Sequence, residues 1–212
     1  MMRLISATPS PYARKVRIAL AEKDIPFELV TEVPWNADAR TPDYNPLGKL
    51  PVLILDSGET VYESDYILEW LEFHHPEPSM LPADPLERLF ARKLEVLADG
   101  VCDAFVLWFF ETFRPEDHRS AAWMERQHRK ITGGLAEIDR LLPADREWCA
   151  GGRFGLGDIA VGTLLDYLTT RMPDLDWRCR HPGLADRLER LLERPSFRDT
   201  RPAPQKIDAS VV

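Results

Sequence analysis

The sequence predicts two parts of different fold class, an α/β sandwich followed by an all-α helical bundle. Short strand-like runs alternate with helical periodicity over the first eighty residues. The segment PEPSMLPADP, with four prolines in ten residues, then interrupts both patterns and is typical of a linker. Beyond Leu86 the apolar residues follow helical spacing, and strand signals are nearly absent. We therefore place one domain at residues 1–80 and a helical domain at residues 86–212.

The first elements of the chain are predicted to be a strand, a helix and a second strand. RLISA is short and rich in apolar residues, and it leads directly into a helical pattern that begins after Ser10. Within that pattern Arg14 and Arg17 are expected on the exposed face. FELV, residues 27–30, has the composition of a second strand, and the polar loop after it leaves room for a short helix.

A hairpin and a helix complete the first domain. PVLIL and TVYE flank the turn sequence Asp56-Ser57-Gly58-Glu59, which is typical of a β-hairpin. SDYILEWLEFHH follows, with Ile67, Leu68 and Leu71 at helical spacing. Two strands and a helix added to the preceding elements make a small α/β sandwich.

Composition excludes several classes of protein. The 212 residues include 44% hydrophobic and 29% charged residues, as expected of a globular protein that buries a core. The formal net charge of −8 argues against nucleic acid as the main partner. The N-terminal stretch MMRLISATP lacks the apolar core of a signal peptide, and no apolar run approaches the length of a membrane span. We expect a cytoplasmic protein with no membrane partner.

The three cysteines indicate a reducing compartment. Cys102, Cys149 and Cys179 are far apart and form no CxxC pair and no zinc-binding pattern. We expect each of them to be a small buried hydrophobe. His74 and His75 have no partners at ligand spacing, so the sequence predicts no metal site.

Ser10 stands at the start of the first helix and allows two interpretations. It precedes Pro11, which is well tolerated in a first helical turn, and serine is a preferred N-cap residue. A helix start also offers free N–H groups and a partial positive charge, which together favour an anion. Ser10 therefore either caps the helix alone or also binds a ligand.

Four segments, taken in order, resemble the cytosolic glutathione S-transferases, in particular bacterial members with a serine-type active site. SPYARKVRIALAEKDIPFE is similar to the family's first helix and second strand, and NPLGKLPVL to the loop that ends in a cis-proline. ESDYILEWL is similar to the segment that binds the γ-glutamyl end of glutathione, and FGLGDIAVGTLL to the start of the buried sixth helix. The resemblance implies a thioredoxin-like first domain, glutathione as co-substrate and a homodimer.

The segment FGLGDIAVGTLL departs from the family pattern in its cap. The family usually has Ser or Thr at the N-cap, whereas this chain has Gly155, with Asp158 three residues later. Glycine is a fair cap, and Phe154 and Ile159 still occupy the positions of a hydrophobic staple. The departure bears on folding and leaves the predicted fold unchanged.

The resemblance implies a glutathione site built from several segments. Pro51 is expected in the cis form, which would direct the backbone N–H and C=O of Val52 towards an extended peptide. The other reading is an ordinary trans proline at the start of a strand. Lys49 is expected to reach the glycine carboxylate of glutathione, and the alternative for it is a solvated surface lysine.

Glu63 and Ser64 are expected to bind the γ-glutamyl end of glutathione. Ser64 is a natural N-cap for the helix that carries Ile67, so a purely structural role is the alternative. A hydroxyl at a helix N-terminus suits a carboxylate, and the acidic Glu63 suits an ammonium group. The resemblance therefore assigns the amine to Glu63 and the carboxylate to Ser64.

The resemblance also implies the catalytic residue and the second substrate. Ser10 is expected to stabilise the glutathione thiolate, and Thr8 and Ser6 are the competing hydroxyls. The electrophile site is expected to lie between the two domains. It is expected to favour a flat, apolar molecule. Its candidate residues are Tyr12 and three members of the aromatic tract VLWFFETF, namely Trp108, Phe109 and Phe113.

Two alternative functions remain open within the same fold. SPYARKVR has a basic pattern loosely similar to that of zeta-type glutathione-dependent isomerases, but it lacks their run of Ser and Cys. A non-catalytic interaction protein similar to stringent starvation protein A is the other alternative. Glu63, Ser64 and Pro51 argue against the second alternative because they are consistent with a working pocket. The expected reaction is conjugation of glutathione, through its thiolate, to an apolar electrophile, as in detoxification.

Overall fold

A computed structural model describes residues 1–207 and divides them into two compact units. The first unit comprises Met1–Leu81 together with the described residues from Leu192 onward, and the second comprises Pro82–Leu191. Residues 208–212, which the sequence assigns to the helical domain, lie outside the described residues. No helix among residues 1–207 is long and apolar enough to cross a membrane.

The first unit is built on a four-stranded sheet of strand order β2-β1-β3-β4. β1 pairs with β2 in parallel and with β3 antiparallel, and β3 pairs antiparallel with β4. Its elements are β1 (Met2–Ser6), α1 (Pro11–Glu22), β2 (Phe27–Thr31), α2 (Thr41–Tyr44), β3 (Val52–Ile54), β4 (Thr60–Tyr62) and α3 (Ser64–His74). The predicted order of strands and helices is confirmed, and so is the hairpin, whose turn has Gly58 at a φ of 88°.

The proline-rich segment is anchored to the first unit by a buried ion pair. The Lys23 ammonium lies 2.7 Å from the Glu72 carboxylate and also donates to the carbonyl oxygen of Pro78. The same carboxylate accepts hydrogen bonds from the Met80 backbone N–H and the Ser79 hydroxyl. The predicted linker is therefore an ordered part of the first unit up to Leu81.

The chain from Leu192 onward packs against α1, which corrects the prediction for Arg14. The sequence pattern predicts an exposed Arg14, but the residue is only 2% exposed. Its guanidinium donates to the carbonyl oxygen of Phe197 at 3.1 Å and to the hydroxyl of Thr200 at 3.3 Å. Helical periodicity places Arg14 correctly on α1, but its partners are more than 180 residues away in sequence.

The second unit is helical throughout, as predicted, and no strand occurs among residues 86–207. Its elements are α4 (Pro85–Glu111), a short 3₁₀ helix (Glu116–His118), α5 (Ala121–Leu141), α6 (Leu156–Arg171), α7 (Trp177–Arg180) and α8 (Pro182–Leu192). The last helix, α9 (Pro195–Arg198), belongs to the first unit. α4 packs against α5 and α6, and every residue of α6 from Leu156 to Leu168 is buried.

The predicted cap of α6 is confirmed. Gly155 is the N-cap, and the Asp158 carboxylate accepts the Gly155 N–H at 3.1 Å. It also accepts the Cys149 N–H at 2.9 Å, so it joins the loop before α6 to the first helical turn. Burial raises the pKa of Asp158, which is 1% exposed. Cys149 is buried as predicted, whereas the prediction for Cys179 is wrong because that residue is exposed on α7.

Candidate functional site

Ser10 is the N-cap of α1 and keeps a proton to donate. Its backbone is extended, with a φ of −68° and a ψ of 120°, and its hydroxyl oxygen accepts the Ala13 N–H at 3.2 Å. The capping interpretation is therefore confirmed. A serine hydroxyl has one O–H donor beside its acceptor lone pairs, so capping leaves the donor available. Ser10 is half-buried, which leaves part of it accessible to a ligand.

The two competing hydroxyls both donate elsewhere. Ser6 is 2% exposed, and its hydroxyl donates to the carbonyl oxygen of Ala7. Thr8 donates to the carbonyl oxygen of Ala203, at 3.0 Å, in the segment that follows α9. Of the three hydroxyls, that of Ser10 has the geometry best suited to donate to an incoming anion.

The loop before β3 presents the second predicted segment. The Leu50–Pro51 bond is cis, as predicted, and Val52 is the first residue of β3. Asn45 holds the loop together: its side chain donates to the Lys49 carbonyl oxygen at 2.8 Å and accepts the Leu47 N–H at 3.0 Å. Sequence reasoning missed this buried asparagine, although the Asn-Pro pair is a turn signal.

Lys49 and Val52 lie in contrasting environments. The Lys49 side chain is exposed, with no ion-pair partner among the described residues, so its ammonium is accessible to an anion in solution. Val52 is fully buried, with 0% exposure for the residue as a whole. The pairing of the Val52 backbone with an extended peptide therefore stays a prediction.

Glu63, rather than Ser64, is the N-cap of α3, and this corrects the prediction by one residue. The Glu63 carboxylate accepts the Asp65 N–H at 2.9 Å, and Ser64 is the first helical residue. Glu63 has a φ of 76°, a left-handed conformation that a residue with a Cβ rarely adopts. Such strain is characteristic of functional sites. Ser64 is 0% exposed, and its hydroxyl donates to the Glu63 carboxylate at a long 3.4 Å.

The sheet register brings these segments to one end of the sheet. The last residues of β1 lead to Ser10, and Ile5 near that end is paired with Val52 at the start of β3. Val52 is in turn paired with Tyr62, the last residue of β4, and Glu63 follows directly. The antiparallel pairing therefore places the connections that carry Ser10, Pro51 and Glu63 at the same edge of the first unit.

The aromatic tract of the second unit is more exposed than its composition predicts. Phe105 is fully buried, but none of the six apolar residues after it is buried. These six are Val106, Leu107, Trp108, Phe109, Phe110 and Phe113. Phe109 contacts both Phe110 and Phe113 edge to face, with ring centroids 5.5 and 5.0 Å apart. Tyr12, the remaining predicted residue, is half-buried in the first turn of α1 in the other unit.

A sheet of this order with a cis-proline before its third strand, joined to an all-helical unit, defines the class of thioredoxin-like domains followed by a helical bundle. Residues 9–73 match the glutathione S-transferase N-terminal domain family, and residues 121–190 match the corresponding C-terminal domain family. The chain belongs to the glutathione S-transferase family, which confirms the resemblance noted in the sequence.

Individual relatives support this assignment over the whole chain. A glutathione S-transferase of Methylobacterium radiotolerans, crystallised with glutathione sulfonate, is 63% identical, with a TM-score of 0.96 and coverage of 98% of this chain and 97% of that one. The GST-like protein YibF of Escherichia coli is 38% identical, covering 95% of this chain and 98% of YibF. The maleylacetoacetate isomerase of Pseudomonas aeruginosa is 32% identical, covering 96% of this chain and 97% of the isomerase.

Proposed function

We propose that the protein is a glutathione transferase that binds glutathione in its first unit, activates the thiol as a thiolate and conjugates it to an apolar electrophile. The observation that carries the proposal is the geometry of Ser10, whose oxygen caps α1 while its own proton remains available. Relatives of the same fold support glutathione as the substrate: the 63% identical enzyme was crystallised with the analogue glutathione sulfonate, and a 42% identical one with glutathione itself.

The Ser10 hydroxyl would stabilise the thiolate directly. A free thiol has a pKa of about 8.5, so only a few per cent is ionised at neutral pH. Lowering that pKa by about 2 units requires about 2.7 kcal/mol of preferential binding to the thiolate. One hydrogen bond to a charged group supplies about 1.5–3 kcal/mol. The helix N-terminus adds about 0.3–1 kcal/mol, so the two together are sufficient.

The remaining contacts would hold the tripeptide in place. The glycine carboxylate pairs with Lys49, and the cysteinyl backbone pairs with the backbone of Val52 after Pro51, as an added strand would. The amine of the γ-glutamyl group pairs with the exposed Glu63 carboxylate. Its carboxylate would take the Ser64 hydroxyl once the buried Ser64 side chain gives up its long 3.4 Å bond to Glu63 and turns towards the ligand.

The electrophile would be recognised by aromatic surfaces. Trp108, Phe109 and Phe113 of the second unit present partly exposed rings. Rings of this kind bind a flat, apolar molecule by dispersion and by offset stacking.

Two copies of the chain would assemble as a homodimer, in keeping with the preference of oligomers for two-fold symmetry.

A glutathione-dependent isomerase of zeta type is the second candidate, and the 32% identity to a maleylacetoacetate isomerase favours it. Both reactions begin with the same thiolate, so the site around Ser10 does not distinguish them. Purified protein should be assayed for conjugation of glutathione to 1-chloro-2,4-dinitrobenzene and, in parallel, for isomerisation of maleylacetoacetate. We expect saturable conjugation and a weaker isomerase rate.

Calorimetric titration with glutathione distinguishes the two enzymatic functions from that of a non-catalytic interaction protein. Binding with one site per chain is expected. If glutathione does not bind at millimolar concentration, both enzymatic functions are excluded and the interaction protein becomes the better reading.

A further inference from the structure

Arg171, the last residue of α6, carries a positive charge that no carboxylate among residues 1–207 neutralises. Its guanidinium carbon lies 5.1 Å from the centroid of the Phe109 ring, within the aromatic tract. Its Nε atom is buried and has no hydrogen-bond partner in the described chain. Burial of a charged donor is unfavourable unless an acceptor compensates for the lost water. The position of Arg171 is therefore costly for the free protein.

Other arginines stacked on rings in the second unit do have acid partners. Arg178 lies 5.0 Å from the centroid of the Trp177 ring and forms an ion pair of 2.7 Å with Glu189. Arg146 lies over Phe90 and pairs with Glu87. Within the described part of this unit, Arg171 combines the same ring contact with no acidic partner.

The groups around Arg171 are aromatic and polar. Tyr167, one helical turn earlier, is buried and contacts Phe105 edge to face at 5.0 Å. Burial raises the pKa of Tyr167, and the charge of Arg171 and a hydrogen bond from its guanidinium oppose that rise. The guanidinium therefore extends from a buried hydroxyl to the partly exposed ring of Phe109.

A second side chain with buried polar atoms that lack a partner in the described chain lies towards the same end of the bundle. Gln127 of α5 is fully buried, and both of its amide atoms lack a partner among the described residues. Lys93 approaches Glu137, and Val101 lies against Gly134, so α4 and α5 run antiparallel. Gln127, seven residues before Gly134, accordingly lies towards the aromatic end of α4.

We propose that Arg171 is a specificity-determining residue that binds the carboxylate of an electrophile whose apolar ring packs on Phe109. The inference rests on the proposed function, since it names the substrate class of that reaction: flat, apolar electrophiles that carry a carboxylate. The planar guanidinium matches a carboxylate in shape and charge. A guanidinium already partly removed from water also gains more from an incoming anion than a hydrated one does.

A matched pair of electrophiles tests the proposal. The acid is 4-chloro-3,5-dinitrobenzoate, and the neutral partner is its methyl ester, which has the same ring and leaving group. We expect Arg171→Met to lower kcat/KM for the acid at least about tenfold, the loss of one charge-assisted contact, and to change the ester by less than about twofold. Arg171→Lys should retain part of the preference. Arg178→Met, which removes another arginine stacked on a ring, should leave both rates unchanged.

Two results would overturn the proposal. If Arg171→Met lowers kcat/KM equally for the acid and the ester, Arg171 only packs against the ring. If kcat/KM falls for neither compound, Arg171 does not contact the substrate. Calorimetric titration of the preformed glutathione conjugates of the two compounds gives a readout without turnover. If the wild-type protein binds glutathione but forms no conjugate, the proposed reaction fails, and these titrations still decide the role of Arg171. A wild-type preference for the acid conjugate that Arg171→Met abolishes supports the role, whereas equal affinities refute it. If Arg171→Met does not fold, Arg171→Gln, which also removes the charge, provides the same comparison.

Discussion

At the scale of single residues, one hydroxyl serves both the fold and the proposed chemistry. Ser10 accepts the Ala13 N–H as an N-cap, and this fixes the position of its oxygen. The O–H proton is then the part of the group left for a ligand. Capping and catalysis are therefore compatible at this position, because they use opposite ends of the same hydroxyl.

Ser10→Ala should affect both stability and thiol ionisation. Loss of the cap should cost about 0.5–2 kcal/mol of unfolding free energy. The pKa of bound glutathione should rise towards about 8.5, because the thiolate loses its hydrogen-bond donor while the neutral thiol loses little. Turnover near pH 7 should fall and recover as the pH is raised. Ultraviolet titration of bound thiolate measures this pKa, and identical titration of wild type and variant would contradict the proposed role.

Ser10→Cys should change the type of reaction. A thiol at a helix N-terminus has a lowered pKa and becomes a nucleophile. With oxidised glutathione it should form a mixed disulfide and release one glutathione, so the variant should gain thiol-transferase activity as it loses conjugation. Mass spectrometry should detect a glutathione adduct on the α1 peptide of the variant, and its absence under oxidised glutathione would count against an accessible thiol site.

Glu63→Gln and Ser64→Ala should each weaken glutathione binding by about 10- to 100-fold, since each removes one contact with a charged group. Gln retains an oxygen that can accept the Asp65 N–H, so the cap of α3 should survive. Ser57→Ala is the matched control, because Ser57 lies in the exposed hairpin turn. Calorimetric titration with glutathione measures the affinities. Wild-type affinity in both site variants would refute the assignment.

At the scale of elements, local signals predict the starts of some helices and not of others. Gly155 and Asp158 predict the start of α6 correctly because the cap and its acceptor are three residues apart in sequence. The predicted start of α3 is off by one residue because Glu63 adopts a left-handed backbone, which its residue type does not predict. The role of Arg171 has no local signal for a related reason: its contact with Phe109 joins two helices that are distant in sequence.

Arg14 provides a stability test of the contact between α1 and α9. Arg14→Met should lower the unfolding free energy by about 2–4 kcal/mol, because a buried carbonyl oxygen and a buried hydroxyl each lose a donor. Arg190→Met, at an exposed position of α8, should change it by less than about 0.5 kcal/mol. Urea unfolding of both variants measures the difference. If Arg14→Met had the same unfolding free energy as Arg190→Met, the Arg14 guanidinium would contribute nothing to stability beyond its apolar stem.

At the scale of the whole molecule, each unit exposes large apolar side chains. In the second unit Leu86, Leu89 and Val96 are strongly exposed on one side of α4. In the first unit Tyr66 and Phe73 of α3 are exposed, the latter by 80%. We propose that these exposed apolar side chains take part in the homodimer interface, since interfaces bury apolar surface of this kind.

The dimer can be tested directly. Light scattering at micromolar concentration should give about twice the chain mass of 24.3 kDa. Leu89→Lys should lower the apparent mass towards that of one chain, because a charge would be buried at the interface. Glu125→Lys, at an exposed position of α5, is the control and should leave the mass unchanged. A wild-type mass of one chain would exclude the dimer.

The return of the chain from Leu192 to the first unit has a consequence for synthesis on the ribosome. The second unit is continuous in sequence, from Pro82 to Leu191, so it can close as soon as it has emerged. The first unit is synthesised earlier but completed later, because the hydrogen bonds of Arg14 to Phe197 and Thr200 cannot form until those residues have been synthesised. At about 5–20 residues per second the wait lasts on the order of ten seconds or more. During that interval the nascent first unit is the part of the protein most in need of a chaperone.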